Sequence, residues 1–172
     1  MLSQAGDEDA EGIARLHIAS WQATYVEELS ATFLEDQDLR TRIAHWRRVL
    51  AEGVAVLVTK DSGEVTGFVA CGRARGPIPS SDEWEVYNLH VAPPLHGAGL
   101  GSRLFDAAAR LALDQGAREL SLWVVKTNRR ARAFYERKGM RWDGGEQEHP
   151  LGAGEMLHEV RYRMSLPLTD KR

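Results

Sequence analysis

The chain has 172 residues, a formal net charge of −3, 43% apolar residues, five tryptophans and one cysteine. This suits one folded domain over residues 1–172 and argues against a disordered chain or a broad basic surface for nucleic acid. Cys71 alone cannot form an internal disulfide, no run of about twenty apolar residues offers a membrane span, and Asp7, Glu8, Asp9 and Glu11 oppose a signal peptide, so a cytoplasmic setting is expected.

Taken in chain order, residues 7 to about 22 carry Ile13, Leu16, His17, Ala19 and Ser20 at helical spacing, with acids in the first turn. A looser segment follows over 24–35. A second helix spans about 36–52, with Leu39, Ile43, Trp46, Val49 and Leu50 on one stripe and Gly53 closing it. Residues 54–59 (VAVLVT) read as a buried strand, 61–63 as a turn, and 65–71 (VTGFVAC) as the hairpin partner. The Pro-containing stretch 76–82 reads as a loop. Residues 85–91 (EVYNLHV) are a strand, 100–115 a helix ended by Gly116, and 119–125 (ELSLWVV) a strand. Asn128 is placed to cap a short helix over 129–138 that Gly139 ends. Final strands are expected at 140–143 and 158–166, split by a glycine-rich acidic loop. A hairpin start, a βαβ crossover and a closing hairpin together make an α+β sandwich.

At the junction of the 85–91 strand with the next helix stands Pro93-Pro94-Leu95-His96-Gly97-Ala98-Gly99-Leu100-Gly101-Ser102. Alternating glycines allow a tight turn and close approach of a ligand, and the following helix directs unpaired first-turn amides at that point. The combination suits a phosphate or pyrophosphate. A dinucleotide fingerprint is excluded, because the third glycine position is Ser102 or Leu104 in the two registers. A P-loop is excluded too, because Ser102 and Arg103 follow Gly101 where Lys is needed.

What remains, His96-Gly97-Ala98-Gly99-Leu100-Gly101, resembles the Q/R-x-x-G-x-G/A acetyl-CoA loop of the GNAT N-acetyltransferase superfamily, with histidine at the first position. Downstream, Asn128-Arg129-Arg130-Ala131-Arg132-Ala133-Phe134-Tyr135-Glu136-Arg137-Lys138-Gly139-Met140 resembles the second family motif, N-x-x-A-x-x-(F/L)-Y-x-x-x-G-F, departing only at Met140. The resemblance is strongest over 85–140. It implies a GNAT-like central mixed, mostly antiparallel sheet flanked by helices, and an enzyme that moves an acetyl group from acetyl-CoA directly to a primary amine of a small molecule or peptide through a tetrahedral intermediate.

That chemistry needs a proton acceptor for the amine, a donor for the developing oxyanion and an acid for the departing thiolate. The resemblance implies Tyr135 as the acid. Glu85, at the start of the central strand, is the candidate base acting through a water; an acid at a strand edge is the plain reading of the same residue. Backbone amides of Leu89, His90 and Val91, where the strand would splay at a bulge, are implied for the thioester oxygen and the pantetheine. His96, Gly97, Ala98, Gly99, Leu100, Gly101 and Ser102 would hold the pyrophosphate, with Asn128 and Tyr135 completing the cofactor residues.

On the acceptor side, Ser20-Trp21-Gln22-Ala23-Thr24-Tyr25 is similar to an S-W-x-x-T-Y segment of one broad subgroup of varied substrates. Trp21 and Tyr25, one helical turn apart, are expected with Trp46 to line the acceptor side, although core packing explains the same spacing. Glu27, Glu28, Glu146 and Glu148 could draw a cationic amine. No metal-ligand spacing links the six histidines with Cys71 or the acids, no Ser/His/Asp set suggests an acyl-enzyme, and Cys71 reads as a buried small residue. Two alternatives stand beside the main reading: a non-catalytic acyl-CoA-binding regulatory domain, and an acetyltransferase of protein N-termini or lysines. A C-terminal edge strand at 158–166 is available for pairing across a homodimer.

Overall fold

A computed structural model describes residues 1–76, 80 and 82–167. Pro77, Ile78, Pro79 and Ser81, in the expected loop, lie outside the described residues, as do 168–172. The chain runs β1 (Leu2–Gln4), a 3-10 turn (Asp7–Asp9), α1 (Ala10–Thr24), α2 (Ala31–Glu35), α3 (Leu39–Ala51), β2 (Ala55–Asp61), β3 (Glu64–Arg73) and β4 (Glu83–Val91). It continues with a 3-10 turn (Pro93–Leu95), α4 (Leu100–Asp114), β5 (Glu119–Val125), α5 (Arg129–Arg137), β6 (Arg141–Gly152) and β7 (Glu155–Ser165). Strand order is β1-β2-β3-β4-β5-β7-β6 in a seven-stranded sheet. The β4–β5 pair is parallel, while β1–β2, β5–β7 and β6–β7 are antiparallel. The fold is the expected α+β class, with a mixed, mostly antiparallel sheet and flanking helices.

The chain divides into two compact units, Met1–Ala70 with Asn88–Asp106, and Cys71–Tyr87 with Ala107–Arg172. The first unit holds β1, β2, α1 to α3, the first part of β3, the end of β4 and the first turns of α4. Its core includes Ile13, Trp46, Val56, Val58, Phe68, Leu104 and Phe105, none more than 2% exposed. Trp46 and Phe68 meet edge to face with centroids 5.0 Å apart, and Gln22 Nε2 donates to Leu34 O, tying α1 to α2 at 3.0 Å. Gly67 is glycine because β3 passes close to its neighbours: a Cβ there would lie 2.9 Å from both the Leu104 side chain and Thr59 Oγ1.

The second unit is built on β5, whose Leu120, Ser121 and Leu122 are all buried, so both strand faces are covered. Its register with β4 runs from Glu83↔Glu119 to Val86↔Leu122, whereas with β7 it continues to Val125↔Glu159. Helix α5 starts at Asn128, whose Oδ1 accepts from Ala131 N at 3.1 Å. Arg132 Nε donates to Tyr162 Oη (3.1 Å), which donates to Glu136 Oε1 (2.8 Å), so both turns of α5 are fastened to β7.

Several boundaries differ from the sequence expectations. The stretch 24–35 is not all loose: Ser30 Oγ accepts from Phe33 N and caps α2. β1 is an added edge strand, three residues long and too short to show periodicity. The expected glycine-rich loop after residue 143 is the body of β6, a twelve-residue strand whose register with β7 shifts between Trp142 and Glu146. That irregularity absorbs Gly144 and Gly145, and the turn falls instead at Ala153 and Gly154, both at positive φ. β7 is therefore interior, between β5 and β6, and residues 158–166 are not an edge.

Candidate active site

In the first unit, β4 ends at Val91 and the chain turns through Gly97 (φ 86°) and Gly99 (φ 80°) into α4. A Cβ at either glycine would meet nothing within 4 Å. Glycine is needed there by left-handed backbone rather than by crowding, and the space beside the loop is open. Arg103 N donates to Gly99 O at 3.1 Å and closes the first turn of α4 onto the glycine loop. Gly101 lies inside that first turn. His96, at the position where the motif has Gln or Arg, braces the loop: its Nε2 donates to Val91 O at 2.8 Å. A left-handed turn with open space beside it, leading into a helix N-terminus, fits a pyrophosphate.

Leu89, His90 and Val91 are the half-buried last residues of β4. His90 Nδ1 lies 2.7 Å from Ser20 Oγ, and its ring packs at 4.9 Å from His17 and 5.3 Å from Phe68. Burial, with the charge of Arg42 second, pushes the His90 pKa down to about 4. His17, 5% exposed, is held well below the usual histidine value by burial first, then by His90, Arg42 and His45. Trp46 Nε1 donates to His17 Nδ1 at 3.2 Å, so the neutral ring carries its proton on Nε2, a buried atom without a hydrogen-bond partner. This Ser–His contact carried no sequence signal, because Ser20 and His90 lie 70 residues apart.

The three aromatic residues expected on the acceptor side divide. Trp21 and Tyr25 are half-exposed and meet edge to face at 5.4 Å. Trp46 is 1% exposed and belongs to the core, so it presents no surface to an acceptor. Among the acids, Glu146 is paired with Lys126 at 3.1 Å and Glu148 lies 3.7 Å from His158 Nδ1, both on the β6–β7 ribbon.

In the second unit, Glu85 is 3% exposed, which corrects the picture of an exposed edge acid. Its Oε2 accepts from Arg75 N and its Oε1 from Arg75 Nη2, both at 2.9 Å. The same guanidinium lies 4.0 Å over the Tyr87 ring, which puts Glu85 and Tyr87 on one strand face as the alternation predicts. The Arg75 side chain is itself 66% exposed. No sequence pattern pointed to Arg75, which follows the end of β3. Tyr135 is 8% exposed on α5, seven residues after the Asn128 cap. Arg132 donates to Tyr162 Oη and to Lys126 O, so its guanidinium is committed within this unit.

With both motifs placed on the elements they require, the family comparison decides the class. A family model described as "Acetyltransferase (GNAT) family" matches residues 13–140. The chain belongs to the GNAT acetyltransferase family. A relative from Archaeoglobus fulgidus, an uncharacterised N-acetyltransferase, is 28% identical over 142 residues, covering 81% of this chain and 92% of the relative. The PaiA N-acetyltransferase of Thermoplasma acidophilum, solved in complex with coenzyme A, superposes with a TM-score of 0.75 at 16% identity, covering 96% of this chain and 98% of that one. A GCN5-related N-acetyltransferase structure from Rhodopseudomonas palustris reaches a TM-score of 0.76 at 23% identity, covering 96% and 95%. This GNAT chain therefore shares its fold with acetyltransferases well beyond the residues of the two motifs.

Proposed function

We propose that this GNAT enzyme, acting as one domain, moves an acetyl group from acetyl-CoA directly to a primary amine of a small molecule or peptide. The observation that carries the reading is the glycine turn: Gly97 and Gly99 at positive φ between β4 and the open start of α4. The bound thioester supplies an activated acetyl group. The loop from His96 to Ser102 holds the pyrophosphate through backbone amides other than those of His96 and Ala98, which donate to Pro93 O and Leu95 O, both at 3.2 Å, and the amides of Leu89 to Val91 bind the pantetheine and the thioester oxygen. Tyr135 gives its phenolic proton to the departing thiolate, and Asn128 both caps α5 and contacts the pantetheine arm. Glu85 takes the amine proton through a water once the exposed Arg75 side chain swings off its carboxylate.

Calorimetric titration with acetyl-CoA, with NAD and ATP as controls, tests the cofactor. Selective binding of acetyl-CoA is expected, and preference for either nucleotide overturns the reading of the loop. Thiol release across a panel of amines then separates an enzyme from a binding domain. For Glu85, the Glu85→Gln variant should lose turnover while Arg75→Ala keeps it; equal losses would make the pair structural rather than catalytic.

A further inference from the structure

Arg42, on α3, is half-buried, and burial lowers its pKa from the usual arginine value. Buried or half-buried arginines are normally matched by a carboxylate, because a desolvated cation without one is costly. Arg42 is matched by none: among the described residues its contacts are an amide and an indole. Its Nη2 donates to Gln37 Oε1 at 2.7 Å, and its guanidinium carbon lies 5.8 Å from the centroid of the Trp21 ring. Gln37 is itself fixed, because its Nε2 donates to Phe33 O at 2.9 Å, which turns Oε1 toward the arginine. The guanidinium is thus held at one corner and over one ring, with most of its five N–H donors uncommitted.

The surroundings are those of an anion-binding position. The charge of Arg42 depresses three imidazoles at once, second to burial at His90 and His45 and after burial and His90 at His17. His17, whose ring meets Trp21 at 5.7 Å, adds the buried and unpartnered Nε2–H donor. A cleft of about 560 Å³ opens along α3, lined by Gln37, Arg42, His45 and Arg48 among others. Of the two aspartates on its rim, Asp38 is occupied as the cap of α3, accepting from Arg40 N and Thr41 N.

We propose that the amine acetylated by this enzyme carries a carboxylate, and that Arg42 binds it. A planar guanidinium with free paired donors matches a carboxylate edge to edge, and one such residue suits a single carboxylate better than a multiply charged phosphate. Trp21 and Tyr25 then bracket the carbon skeleton between the carboxylate and the amine. The substrate class is an amino acid or a similar small amino carboxylic acid, which rests on the acetyltransferase reading above.

The test uses matched probes: free L-leucine, L-phenylalanine, L-glutamate and L-methionine, each beside its carboxamide, with thiol release from acetyl-CoA as the readout. The free acids should exceed their amides in kcat/KM by about 10- to 100-fold, mostly through KM, the range for a hydrogen bond between charged groups. Arg42→Gln should collapse the acid-to-amide ratio of kcat/KM to about one, and Arg42→Lys should recover part of the preference. An acid preference that survives Arg42→Gln, or no preference, overturns the proposal.

A second readout is independent of turnover. His45, half-buried on α3 beside Arg42 and Arg48 and opposed by Glu52, should show a raised pKa by ring-proton NMR when a free acid neutralises Arg42. Arg42→Gln should abolish the response. A His45 response without thiol release from any amine keeps the carboxylate site and removes the acetyltransferase reading. Absence of any His45 response to the free acids overturns the carboxylate site.

Discussion

Replacing Tyr135 by Phe removes one oxygen and keeps the ring that packs α5, so it isolates proton delivery from folding. Turnover should fall about 100-fold or more, the usual worth of a positioned acid, while calorimetric affinity for CoA stays unchanged. Unchanged turnover would remove the acid assignment. Cys71 makes a contrasting case, since the sequence offered a lone thiol and the structure disarms it. It is buried in β3, and burial pushes its pKa up to about 12. The folded protein should therefore resist iodoacetamide at pH 8, and mass spectrometry should find modification only after denaturation. At this scale the two motifs made Tyr135, Asn128 and the glycines legible. Arg42, Arg75 and the Ser20–His90 contact were not, because each matters through a partner distant in sequence or unrelated in pattern.

Among elements, the β4–α4 junction and α5 make the sharpest demands. At Gly99 the backbone has φ 80°, which costs a β-branched residue of the order of 1–2 kcal/mol. Gly99→Val should therefore lose acetyl-CoA binding by calorimetry while the protein still melts cooperatively, and wild-type affinity would sink the phosphate-cradle argument. Asn128→Ala removes the side-chain acceptor for Ala131 N and should cost about 1 kcal/mol of stability in denaturant unfolding. A loss of CoA affinity larger than that stability cost would support a second, ligand-contacting role for Asn128. Helices and strands of ordinary length were readable from their periods and caps. β1, with three residues, and α2, with five, were too short to declare a period, and β6 hid behind glycines that mark a register shift as readily as a loop.

Over the whole molecule, the buried imidazoles make stability depend on pH. His90 titrates near 4 in the folded protein against an ordinary value of 6.5, and His17 is shifted in the same direction. Between those two pH values the unfolded chain binds more protons, so stability rises with pH across the window and is lost as pH falls from about 6.5 toward 4. Thermal melts at pH 7 and pH 5 should show the drop, and His90→Gln should reduce it. No described helix is long and apolar enough to cross a membrane. The sequence by itself determined the family, the α+β class and the glycine turn before α4, because glycines at fixed spacing, a capping Asn and hydrophobic periods are local requirements of the backbone. Only the tertiary structure decided that Glu85 is buried against Arg75, that Trp46 is core rather than acceptor wall, and that Arg42 stands without a carboxylate. Those outcomes depend on which side chains share a small, desolvated volume, and residues linked by no helical or strand period carry no local mark of that.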